Sequence, residues 1–221
     1  MSDPIVITPE GDGLRLALAD GSASLRLLPR LGLVLPRYHF HVGRVVHAAQ
    51  ELGLFRVQTT LLLGNDLTGQ AELCDFQAAP ALDATGQTAA WRALIAAALD
   101  QLAARPGEAP PAVIAELPGW RDADGTAPFW QALGARFYRG DPGQAQQRLG
   151  DAWRSHLAAL LPRQTIYLSF LDEAAQARLG QPSEAAAPLA QALAEAGFEV
   201  SDHVRIDDGG PVLSRRRIAR A

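Results

Sequence analysis

A chain of 221 residues with 20% charged residues, 48% hydrophobic residues and a net charge of −4 is a globular protein with a sizeable core, in one domain or in one domain with an extension. That balance excludes a nucleic-acid-coating protein driven by phosphate contacts, and a disordered one. A single cysteine, Cys74, excludes an internal disulfide and zinc sites of the paired-cysteine kind, so nothing points to an oxidising compartment.

The opening "MSDPIVITPEGDG" has no basic and apolar leader, and a cytoplasmic location is the expectation. Leu14, Leu16 and Leu18 alternate with Arg15, Ala17 and Ala19, and after Asp20-Gly21 the alternation resumes at Leu25 and Leu27. This predicts a β-hairpin with a tight turn. "YHFHVGRVVH" continues as strand, with a short helical turn expected over 48–52. "VQTTLLLGNDLTGQAELCDF" reads as two apolar runs broken between Gly64 and Gly69, a second hairpin or a strand-turn-strand unit. Its Asn65 is the only asparagine in the chain.

Residues 89–104 form the plainest helix, with Trp91, Leu94, Ile95 and Leu102 near one face, Thr88 as N-cap and Pro106-Gly107 as terminator. Arg92 and Asp100 interrupt it, and it is too short to cross a bilayer. "PPAVIAELPGW" reads as a buried strand. "TAPFWQALGARFY" follows as a helix with Pro128 in its first turn, and 143–162 as a helical region broken at Gly150. "QTIYLSF" is strand-like, "SEAAAPLAQALAEAGF" helical, and "EVSDHVRI" a strand running into Asp208-Gly209-Gly210-Pro211. The expected organisation is one domain over residues 1–213 and a basic tail over 214–221, loose at its end. Strands first, then helix and strand in alternation, give an α/β class with helices on the sheet.

Four blocks, in order across most of the chain, resemble the arginine N-succinyltransferase family. They are "FHVGRVVHAAQELGLF", "TTLLLGNDLTGQAELC", "AELPGWRDADGTAPFWQALGARFY" and "EAGFEVSDHVRIDDGGPVL". The resemblance implies an acyl-CoA N-acyltransferase fold, a mixed and mostly antiparallel sheet with helices on both faces. It implies succinyl transfer to the α-amine of arginine, with succinyl-CoA or another acyl-CoA as co-substrate and no permanently bound cofactor. A chain of this kind takes a small amino-acid substrate, no nucleic acid and no membrane, and assembles with itself or with a homologous chain. A catalytically weakened relative, serving as partner subunit or ligand-binding module, is the alternative.

The same resemblance implies the site residues. His47 and Glu72 are the acid–base candidates, each with a plainer reading, a buried core histidine and a strand-edge carboxylate. Phe76, Gly86, Gln87 and Thr88 are the candidates for the acyl-CoA, where a helix start would cradle pyrophosphate on free amides. Arg44, Asn65, Asp66 and Glu116 are the substrate candidates: carboxylates for a guanidinium, a cation for the α-carboxylate. Asn65 and Asp66 have the alternative of a hairpin turn with left-handed dihedrals. Three positions depart from the family pattern: Asp83 and Thr88 in the phosphate loop, and Ser183 where the family has a proton-donating histidine. Cys74 is expected as a small core residue. His39 and His41 alternate on their strand, with no third metal ligand at a suitable spacing and no metal expected.

Overall fold

The computed structural model describes residues 4–104, 110–150 and 152–216. Ten strands form one sheet: β1 (Ile5–Glu10), β2 (Gly13–Leu18), β3 (Ala23–Leu28), β4 (His39–Ala49), β5 (Leu54–Gly64), β6 (Ala71–Ala78), β7 (Ala112–Glu116), β8 (Ile166–Tyr167), β9 (Glu199–Arg205) and β10 (Pro211–Arg216). Their spatial order is β1-β2-β3-β6-β7-β10-β9-β4-β5-β8, and every pairing is antiparallel except β6 with β7. A parallel pair needs a crossover, and α1 (Ala84–Ala103) supplies it.

The hairpin at Asp20-Gly21 forms as expected, with Leu16 opposite Leu25 and Leu14 opposite Leu27. These leucines join Leu73, Val113, Ala115 and Leu213 in a first core, closed by α1 through Trp91, Leu94 and Ile95 and by α6 (Ala187–Glu195) through Leu189 and Leu193. Residues of β7 and β10 that point the other way, Ile114 and Val212, are covered by Leu31 and Leu67 from loops. A second core gathers Phe40, Leu61, Leu63 and Val204 under four helices. These are α2 (residues 128–137), whose middle turn Trp130–Gly134 is π-helical, α3 (Pro142–Leu149), α4 (Ala152–Leu160) and α5 (Glu173–Arg178).

One open alternative is decided and three expectations are corrected. The runs around Asn65 make a strand-turn-strand unit and no hairpin, because β6 takes β3 and β7 as neighbours while β5 pairs with β4 and β8. Helix α1 begins at Ala84, earlier than expected, because Asp83 and not Thr88 is its N-cap: the Asp83 carboxylate accepts the Gly86 amide at 2.7 Å. "QTIYLSF" is extended only at Ile166–Tyr167 before a 3₁₀ turn. The chain from Pro211 is the central strand β10, pairing with β7 up to Arg216, three residues into the segment set apart as a basic tail. The expected terminator Pro106-Gly107 and residues 217–221 lie outside the described residues.

β4 and β5 are each 11 residues long and pair along their whole length, but β9 meets β4 only at 39–41. The far half of this hairpin projects from the sheet, and Val46, Phe55 and Val57 on it are more than half exposed.

Candidate acyl-transfer site

Where β6 and β7 run side by side, their residues line a cavity of about 230 Å³, with Glu72, Cys74 and Phe76 from one strand and Glu116 and the following Pro118 from the other. Glu72 is opposite Ile114 in the register and points away from the first core, as Glu116 does two residues on. Both carboxylates are buried, with side chains 1% and 7% exposed.

Buried charges need partners, and this chain supplies its own. Arg37, on the loop between β3 and β4, donates from one nitrogen to both oxygens of Glu72 at 2.8 and 2.7 Å, and its Nε lies 3.9 Å from Glu116. Glu116 also meets His39 Nε2 at 2.8 Å and bonds Arg154 from α4. Arg205 of β9 reaches Glu116 at 3.8 Å, Asp207 at 2.9 Å and Asp208 at 2.9 Å. Arg154 lies 3.5 Å from Asp207.

Three buried guanidiniums, those of Arg37, Arg154 and Arg205, and the more exposed one of Arg121, 3.7 Å from Asp208, thus face four carboxylates, those of Glu72, Glu116, Asp207 and Asp208. The carboxylates divide by their surroundings. Burial pushes Glu72 up despite Arg37, and burial beside Asp207 pushes Asp208 up. At Glu116 burial is outweighed by Arg154, Arg37 and His39, which hold its carboxyl well below the usual range. At Asp207 it is outweighed by Arg154 and Arg205, which bring it down to about 2. Carboxylates pushed apart in one cavity are the pattern of acid–base sites.

A raised carboxyl opposes folding above its folded pKa, and that cost is relieved as pH falls and the group takes up a proton. A depressed one stabilises above its unfolded value and loses that contribution as pH falls through the folded value. Unfolding free energy followed by urea titration is therefore expected to rise mildly on moving from neutral into weakly acidic pH as Glu72 and Asp208 protonate. It should then fall between pH 3.8 and about 2 as Asp207 protonates, Glu116 adding to the loss. A curve that declines steadily from neutrality would contradict this division.

Of the residues singled out from the sequence, the structure brings Glu72, Glu116 and Phe76 together at the cavity. Phe76 also packs edge-on against Trp91, with ring centroids 6.4 Å apart. Arg44 and His47 are elsewhere, on the projecting hairpin. His47 is eight residues beyond His39 on β4, roughly 26 Å at the rise of an extended strand, and it neighbours Tyr167 at 5.9 Å. Asn65 is exposed and acts through its backbone: its carbonyl accepts the Thr68 amide at 3.0 Å and the Thr68 hydroxyl at 2.6 Å. The left-handed position of that turn is Gly69, at φ 87°, so neither Asn65 nor Asp66 adopts the dihedrals expected of them. Asp66 instead accepts from His203 Nε2 at 2.8 Å, near the second carboxylate neighbour of that ring, Asp202.

Gly86, Gln87 and Thr88 lie in the first turns of α1, where the polar groups are already engaged. Asp83 takes the Gly86 amide with its side chain and the Gln87 amide with its carbonyl, and the Thr88 hydroxyl donates to Ala84 at 2.9 Å. A Cβ on Gly86 would lie 3.1 Å from the Asp83 carboxylate, so that glycine serves the cap. Burial, helped by Glu72 and Asp75, pushes the Cys74 thiol up, leaving it a poor nucleophile. Ser183 precedes a 3₁₀ turn and makes no side-chain cap bond. Among the described residues no group of three His, Cys, Asp or Glu is placed to hold a metal ion, and no helix is long and apolar enough to cross a membrane.

Sequence reasoning missed Arg37, His39's role, Arg154, Arg205, Asp207 and Asp208. One signal was available: Arg154 sits on the buried side of an otherwise apolar helix face with Trp153 and Leu157, where an unpaired arginine would be costly.

A mixed sheet with one parallel pair, a crossover helix and a cavity between the two parallel strands is the frame of an acyl-CoA N-acyltransferase-type domain. The chain aligns with a solved structure, arginine/ornithine succinyltransferase subunit AI from Pseudomonas aeruginosa, at a TM-score of 0.73 and 26% identity, over 95% of this chain and 61% of that one. The family model for the arginine N-succinyltransferase beta subunit matches residues 21–219. This chain belongs to the arginine N-succinyltransferase family. Relatives include the arginine N-succinyltransferase of Salmonella arizonae, 36% identical over 183 residues, and that of Salmonella paratyphi B, 36% identical over 187. Each match covers 83% of this chain and 52% of the relative, so the chain spans about half the length of these proteins.

Proposed function

We propose that the chain is an acyl-CoA-dependent N-acyltransferase, one acyltransferase-like domain that passes a succinyl group from succinyl-CoA to the α-amine of arginine. The observation that carries this reading is the cavity between β6 and β7, with a buried carboxylate at each wall and family membership behind it. Glu72 is the base. Burial raises its proton affinity and Arg37 fixes its orientation, so it can take a proton from the acceptor ammonium. Pro118 and Phe76 give the thioester end of the donor an apolar lining. The location in keeping with this activity is the cytoplasm, and the assembly is with itself or with a homologous chain, as the words "beta subunit" and "subunit AI" of its relatives suggest.

The engaged pairs bear on specificity. Glu116, assigned from the sequence to a substrate guanidinium, already holds Arg154, and Glu72 beside it holds Arg37. An acceptor side chain has to be recognised elsewhere.

Calorimetric titration with succinyl-CoA and acetyl-CoA, followed by thiol release with arginine and ornithine, tests the assignment. Absence of both heat and thiol would overturn it for this chain. The reading as a partner subunit that has lost donor binding takes its support from Asp83, whose carboxylate fills the helix start that a pyrophosphate would occupy. An Asp83→Arg, Thr88→Gly variant is expected to bind coenzyme A about tenfold more tightly, the worth of exchanging a repulsive for an attractive charge near a phosphate. Unchanged affinity would show that α1 does not face the donor.

A further inference from the structure

Next to the cavity between β6 and β7 lies a second chamber of about 590 Å³, and Gln146, Trp153 and Arg205 line both. The inner chamber is smaller than a typical ligand pocket and the outer one falls within that range. The outer wall contains the π-helical turn of α2, an arrangement frequent at functional sites. Gly134 permits that turn, since a Cβ there would collide with the Trp130 ring. Trp130, Trp153 and Tyr138 stack against one another with centroids 5.0–6.4 Å apart, forming an apolar wall.

The charges of the outer chamber are mostly engaged. Arg205 and Asp207 belong to the buried cluster, Arg121 donates to the Gly125 carbonyl at 3.0 Å, and Asp141 caps α3 through the Gln144 amide at 2.6 Å. Arg139 is different. It is exposed, lines the chamber, and has no hydrogen-bond or ion-pair partner among the described residues.

From these features we infer that the outer chamber is the acceptor subsite, binding a free α-amino acid with its carboxylate on Arg139 and its carbon chain along the aromatic wall. This rests on the acyl-transfer reading, with the inner chamber holding the acyl end of the donor. It also answers the problem left by Arg37 and Arg154: the acceptor is recognised by its carboxylate, and its side chain makes no claim on Glu72 or Glu116.

The test is calorimetry on the full chain with L-arginine, with agmatine, which lacks the carboxylate, and with coenzyme A, repeated on Arg139→Gln and on Arg92→Gln as a control on the far helix. Arg139→Gln is expected to weaken arginine about ten- to hundredfold, the range for a charge-assisted hydrogen bond. Agmatine and coenzyme A should be unaffected, and Arg92→Gln should change nothing. Arginine affinity that survives Arg139→Gln overturns the subsite, as does an absence of arginine binding to the unmodified chain. Loss of coenzyme A affinity in Arg139→Gln would overturn it too, by giving the chamber to the donor. Thiol release is read separately: carboxylate-dependent arginine binding without thiol release keeps the subsite and defeats the transfer reading, and thiol release indifferent to Arg139 does the reverse.

Discussion

Glu72→Gln is expected to lower the rate of thiol release from succinyl-CoA by about 10²- to 10⁴-fold, the usual contribution of a positioned general base. The reasoning is chemical. Glutamine has nearly the shape of glutamate and can still accept from Arg37, so the cavity keeps its form while losing the group that takes the proton. The KM for the acyl donor should change little, because the substitution removes an interaction made in the transition state. Steady-state kinetics with varied donor and acceptor separate the two effects. A loss smaller than about tenfold would remove Glu72 from the base role and leave it as the anchor of Arg37.

Glu116→Ala is the change expected to harm stability most. Its carboxylate is the common partner of Arg154, His39 and, at longer range, Arg37 and Arg205. Without it Arg154, whose side chain is 10% exposed, keeps only Asp207. Removing one partner from a buried ion pair costs about 3–5 kcal/mol because the remaining charge is left uncompensated. That is a large share of the roughly 5–15 kcal/mol that holds a domain folded. Urea unfolding of the variant measures it, and a cost below about 1 kcal/mol would mean that water reaches the cluster and screens it. A protein with Glu116→Ala and Arg154→Met together should recover part of the loss, since the second change removes the stranded charge.

The parts of the fold that were legible in the sequence are those governed by neighbours in the chain. Leu14 to Leu27 announced their hairpin because alternation and an Asp-Gly turn are local facts. Helix α1 was legible in its body and not at its start, because Asp83 and Thr88 are both acceptable caps. The choice between them was settled by Pro188, whose carbonyl lies 3.3 Å from the Thr88 hydroxyl inside the packed helix. β10 was missed because Ser214, Arg215 and Arg216 look like a tail, whereas pairing with β7 along all three, and with β9 at Ser214, makes them strand. The turn at Asn65 was legible as a turn, but which strands it joins depends on β3 and β7, remote in sequence.

The candidate site divides in the same way. Glu72 and Glu116 could be singled out because they stand in blocks shared with the family, and Phe76 because it follows one of them by two residues. Arg37 and Arg154 stand outside those blocks and Arg205 inside one, but each comes from a different element and only tertiary packing brings them to one pair of carboxylates. His47 shows the converse: it stands in a matching block, yet β4 is long enough to carry it far from the cavity.

The projecting end of β4 and β5 divides the molecule energetically as well as in space. Beyond Thr60 the ribbon gains no third strand and rests only on the short segment that includes Tyr167, whose ring meets His47; a two-stranded ribbon is marginally stable by itself in water, so its backbone can open without the main cores yielding. What opens is a stretch rich in β-branched and aromatic residues, Val45, Val46, Phe55 and Val57, of the kind that pairs with other open strands. Solubility of this protein on warming is therefore set by that ribbon, at temperatures where the cluster around Glu116 is still intact.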